Sequence, residues 1–127
     1  MCHWKPITEE EFQSLFVTQY SELSPEEREV FNRGKVDPWL ATLRRSKMAG
    51  DEPVYVVWQR EWKGEKWVLY FDDVEYGFNM SPVDLAGRIT YPKGNQHSLR
   101  EAVVSWIQPE WPEKPPKRGF WRRITGF

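Results

Sequence analysis

Three carboxylates, Asp72, Asp73 and Glu75, fall within four residues, directly after the apolar and aromatic run Trp67-Val68-Leu69-Tyr70-Phe71. In an extended chain Asp73 and Glu75 point to one face and Asp72 to the other, so one carboxylate pair can converge. A converging pair can hold a divalent cation or exchange protons with a substrate. The same residues at a solvated strand end form an acidic patch that receives Lys and Arg from a partner protein.

The other chemistry-bearing residues are sparser. Nucleophilic catalysis by cysteine needs a thiolate on a rigid scaffold within reach of an imidazole. The single cysteine, Cys2, stands beside His3 near the chain end, and His97 is the only other histidine. No positioned Cys–His pair is expected, and three such donors are too few for a closed zinc site. Glu61-Trp62-Lys63, with Asp51 upstream, matches part of a restriction-type nuclease pattern, in which carboxylates hold metal and a lysine stands near the scissile phosphate. Those residues also overlap a predicted hairpin turn, where they read as solvated charge. Phosphate-cradling glycine loops and the Gly-x-Ser-x-Gly pattern are absent. No cofactor and no metal are expected.

The totals bound the function classes. A chain of 127 residues suits one domain. Its net charge of −1 gives no strong field for steering onto DNA or anionic lipid. The charge is uneven: residues 1–35 hold seven glutamates against four cations, and residues 108–127 hold five cations against two glutamates. The second stretch interleaves Lys117, Arg118, Arg122 and Arg123 with Phe120 and Trp121. Such a segment can stack on single-stranded nucleic acid, lie on an anionic membrane, or dock back on the domain. A lone cysteine and the lack of a long apolar run point to a cytoplasmic chain with no membrane span.

Positioning elements follow from local signals. Thr8 and Glu11 make a capping box that opens a helix over about 8–21, with Phe12, Leu15 and Phe16 on one face. Ser24-Pro25-Glu26-Glu27 opens a second helix that ends at Gly34, giving an N-terminal helical hairpin. Residues 38–48 fit either a helix started by Asp37-Pro38 or an extended lead-in strand. Val54–Trp58 and Lys66–Phe71 are β-branched and aromatic, and Gly64 between them marks a hairpin. Further strands are expected near 75–80 and 88–91, with a turn at Asp84–Gly87. Ser98 and Glu101 open a last helix that turns Leu99, Val103 and Trp106 or Ile107 inward. Four prolines among residues 109–116 then preclude regular structure. The expected class is α+β: helical hairpin, antiparallel meander of about four strands, C-terminal helix. Residues 1–107 would form the domain and 108–127 a Pro-rich tail.

On the hairpin, Trp58 and Trp62 should share one face, while Tyr55 and Val57 fall on the other. A sheet apolar on both faces must be covered twice, by helices on one side and by the tail, another helix or a partner chain on the other. A homodimer is one such cover. This is the physical case for a partner-binding protein.

Across Asp51–Ile89, a Gly-Asp-Glu turn, a Val-rich strand, a hairpin and Phe71-Asp72-Asp73-Val74-Glu75-Tyr76-Gly77-Phe78-Asn79 resemble a set of small uncharacterised bacterial α+β proteins, themselves similar to immunity proteins. The resemblance implies a non-enzymatic, cytoplasmic inhibitor that binds and neutralises a bacterial toxin. The expected contact surface is Asp72, Asp73, Glu75, Tyr76 and Phe78, with Trp58 and Trp62 as anchors. A small enzyme with a carboxylate-based or metal-assisted site near Asp72, Asp73 and Glu75 is the alternative reading. A nucleic-acid or membrane-surface binder acting through the basic tail is the other.

Overall fold

In a computed structural model of the chain, residues 7–46 and 50–108 are described. The first helix, α1 (Glu9–Ser21), opens as its sequence predicts. The Thr8 hydroxyl accepts the Glu11 N–H at 3.1 Å, and the Glu11 carboxylate accepts the Thr8 N–H at 2.9 Å. Helix α2 (Pro25–Asn32) repeats the device with Ser24 and Glu27. Together they present Phe12, Phe16 and Phe31 to the sheet, and all three rings are buried.

Four strands, β1 (Lys35–Ser46), β2 (Gly50–Trp62), β3 (Glu65–Asp72) and β4 (Gly77–Val83), form an antiparallel meander in chain order. Residues 38–48 thus resolve toward the strand alternative over their described part. Trp39, Ala41 and Leu43 alternate onto one sheet face while Leu40 is exposed, a period of two rather than the helical 3.6. Pro38 is tolerated because β1 is an edge strand whose pairing with β2 is irregular between Lys35 and Trp39. Residues 88–91 do not make a further strand. Arg88 pairs only with Thr42 of β1 and Ile89 only with Val83 of β4, as isolated bridges.

Those two bridges close the sheet. Thr42 donates to the Gly87 carbonyl at 2.8 Å and its own carbonyl accepts from Ile89 at 2.8 Å, while Thr90 donates to Pro82 of β4 at 3.1 Å. Segment 84–96 therefore joins both edge strands of a curled sheet. Strand β4 is built to hold it. Phe78 and Met80 face the helices, and Gly77, Asn79 and Ser81 face the segment. Asn79 Oδ1 accepts the Gly94 N–H at 2.9 Å, and Ser81 Oγ accepts the Tyr91 N–H at 2.8 Å, so these buried polar side chains are satisfied by backbone.

Two cores result. Helices α1, α2 and α3 (Leu99–Ala102) cover Trp58, Trp67, Leu69, Phe71, Phe78 and Met80. The opposite face holds Ala41, Leu43, Val54, Val56, Val68, Tyr70 and Val83, all buried within the single chain. The expectation that Tyr55 and Val57 oppose Trp58 and Trp62 is corrected by a bulge. Val56 pairs with Tyr70 and Trp58 with Leu69, so Val57 is an extra residue, and Tyr55, Val57, Trp58 and Trp62 all belong to the helix-side core. Burial of the second face calls for no partner.

Helix α3 (Leu99–Ala102) is capped by Ser98, whose hydroxyl accepts the Glu101 N–H at 3.1 Å. Glu101 reaches one residue further than a capping box would and accepts the His97 N–H at 3.0 Å. The helix widens into a π turn at Val103–Ile107, burying Leu99, Ala102, Val103 and Ile107. It is tied to α2 by Arg100, whose Nε lies 3.2 Å from both carboxylate oxygens of the buried Glu27. Among the described residues no helix is long and apolar enough to cross a membrane. Beyond Gln108, the basic Pro-rich tail lies outside the described residues.

Candidate functional site

The β3–β4 connection sets its own shape. Asp72 is only 4% exposed, and its Oδ1 accepts the N–H groups of Val74 at 3.0 Å and Glu75 at 3.2 Å. A short carboxylate folding back on the next residues fixes the turn. Asp73 points elsewhere: its Oδ2 accepts the Ile7 N–H at 2.8 Å, tying the entry to α1 against the loop. Tyr76 then takes a left-handed backbone, φ 55°, which lifts its side chain off the strand direction. Its ring meets Phe71 edge-on, with centroids 5.5 Å apart and planes at 80°, and is still 58% exposed. Val74 and Glu75 are exposed beside it.

A groove of about 840 Å³ runs between this loop and α1, walled by Ile7, Leu15, Tyr76 and the acidic Glu11, Glu22 and Asp73. Electrostatically this corner is negative. The Tyr55 phenol, stacked on Phe12 at 4.4 Å, is held above its ordinary pKa first by burial and then by the charges of Glu9 and Asp73.

The sequence-predicted contact residues therefore separate. Glu75 and Tyr76 stand on the surface, and Asp73 is half-buried on the groove wall. Asp72 is spent on the turn. Phe78 and Trp58 are fully buried in the helix-side core and present nothing to a partner, because β4 alternation turns Phe78 inward and the Val57 bulge does the same for Trp58. Trp62 is half-buried against that core, with the Lys63 ammonium 5.1 Å from its ring centre.

Asp72 and Asp73 engage different backbone segments, and His97 and Glu75 lie outside the groove wall. Among the described residues no three of His, Cys, Asp and Glu group so as to hold a metal ion. Asp51 and Glu61 of the nuclease-like pattern sit near opposite ends of β2, roughly 30 Å apart at strand rise. Asp51 is instead taken up by Arg88 at 3.2 Å and Arg44 at 3.5 Å.

One surface was missed by sequence reasoning. Asp84–Gly87 is a turn as predicted, but it carries a fully exposed Leu85, which lines one cavity with the half-exposed Leu40 of β1. The signal was a leucine inside a turn-forming run, where apolar residues have no packing reason to be. No family model, curated protein or solved structure matches the chain.

Proposed function

We propose that the chain is a non-enzymatic protein-binding module, most concretely an immunity-type inhibitor that binds and neutralises a bacterial toxin. Its contact surface centres on Val74, Glu75 and Tyr76. One observation carries the reading: Tyr76 is exposed on a loop already fixed by Asp72 and by edge contact with Phe71. An aromatic side chain held in place before binding loses little freedom on docking, and such residues dominate interface energetics. Glu75 and the acidic groove select a partner with a cationic surface.

The test is affinity capture from lysate of the organism that encodes the chain, comparing the natural protein with Tyr76→Ala and Glu75→Lys. Both substitutions fall on exposed side chains, so the fold is retained. Asp73→Lys is a poorer probe because it removes the Ile7 anchor. A protein retained by the natural chain and lost with both variants is the expected result. Equal retention by all three, or none by any, contradicts the proposal.

A further inference from the structure

Helix α1 lays one stripe of side chains along the groove beside the Tyr76 loop. Glu11, Leu15, Thr18 and the C-cap Glu22 recur at helical spacing, so they share a face, and all four line the groove. Eleven residues of helical rise put the two glutamates roughly 16 Å apart. Leu15, half-buried, lies between them. Asp73 accepts the Ile7 N–H at 2.8 Å and adds a third carboxylate at the Glu11 end. No lysine or arginine of the described residues is in the wall. The groove is therefore complementary to a segment with cations at both ends and apolar side chains in the middle.

One segment of this chain has that pattern. Lys117-Arg118 and Arg122-Arg123 flank Gly119-Phe120-Trp121, and no acidic residue falls between Lys114 and Phe127. The five-residue step from Arg118 to Arg123 is roughly 16 Å in an extended chain, the spacing of the groove glutamates. The segment is also within reach. Ser98, on the groove wall, opens the helix that leads to Gln108, roughly 15 Å away at helical rise. The ten residues from Pro109 to Arg118 span up to roughly 35 Å. A tether of that length supplies an effective concentration on the order of millimolar, so contacts of modest strength hold the segment. We propose that residues 117–123 of the chain's own tail dock in the α1 groove, with one cation pair at Glu22, the other at Glu11 and Asp73, and the aromatic pair against Leu15. The docked tail covers the groove that a cationic partner would use and competes with it. That competition rests on the protein-binding reading; the docking does not.

The test uses the full chain with no partner present, so its failure and that of the capture experiment are distinguishable. A nitroxide on Thr125→Cys, in a Cys2→Ser background, broadens the amide signals of whatever the tail approaches. Broadening at Ser14, Thr18, Gln19 and Glu22, with the Leu85 turn spared, is expected at low salt. Molar salt weakens it, because the Debye length falls to about 3 Å. Glu22→Lys, or Arg122→Glu with Arg123→Glu, lowers the docking equilibrium about threefold or more. Glu29→Lys, the same charge change on the exposed side of α2, leaves it unchanged. Absent or uniform broadening overturns the proposal, as does an equal response to Glu22→Lys and Glu29→Lys. Broadening that passes only between labelled and unlabelled chains in a mixture assigns the contact to a second copy and overturns it too.

Discussion

Gly77→Ala tests how the sheet is closed. Gly77 lies outside the left-handed backbone region, so alanine fits its backbone and any cost comes from what its methyl meets. That methyl would lie 2.5 Å from the Gln96 carbonyl oxygen and 2.6 Å from Asn95 Nδ2. The backbone of segment 84–96 cannot rotate away as a side chain can. Relief requires it to move off β4, breaking the reciprocal Phe78–Gln96 hydrogen bonds of 2.7 and 2.8 Å. Two backbone bonds contribute about 1 kcal/mol each, and crowding adds about 1–3 kcal/mol. The smaller unfolded-state entropy of alanine offsets about 0.4–1 kcal/mol. A net loss near 3 kcal/mol lowers the urea midpoint by roughly 2 M for a protein of this size. Hydrogen exchange at Phe78 and Gln96 should accelerate before the helices open. A midpoint within about 0.3 M of the natural protein, with both amides still protected, refutes the closure described above.

Further outcomes follow from single contacts. A methyl on Gly34 would lie 2.5 Å from Trp58 Nε1 in the core, so Gly34→Ala should cost about 3 kcal/mol and alter tryptophan fluorescence. The Glu27 carboxyl is held below its ordinary value, first by the Ser24 N–H and then by Arg100. A lowered folded pKa means its stabilisation is complete above the unfolded value of about 4.5 and fades as the pH falls below it. Glu27→Gln should therefore cost about 2 kcal/mol at neutral pH in chemical denaturation and flatten the acid limb of the stability curve. Tyr76→Ala should change stability by no more than about 1 kcal/mol, the worth of its edge contact with Phe71. The same variant should weaken partner binding roughly thirtyfold or more by calorimetry.

Local rules read well where one residue decides. The capping residues Thr8, Ser24 and Ser98, the Gly64 hairpin and the α+β order all stand as the sequence indicates. What failed needed knowledge of distant pairing. The bulge at Val57 leaves no local mark, yet it moves Trp58 from the face of Val54 and Val56 to the helix-side core. Residues 38–48 carry apolar positions that fit a helix as well as a strand, and only pairing with β2 selects the strand. Asn79 and Ser81 look like solvated strand residues until segment 84–96 supplies backbone donors for them. Within the acidic cluster, composition could not tell Asp72, which shapes the loop, from Glu75, which faces solvent.

The most direct measurement is hydrogen exchange on the complex with the captured partner. Slowed exchange is expected at the amides of Val74–Tyr76 and along the α1 wall of the groove, with the Leu85 turn unchanged by the partner. Protection confined to other surfaces, with the Tyr76 loop exchanging as in the free chain, contradicts it.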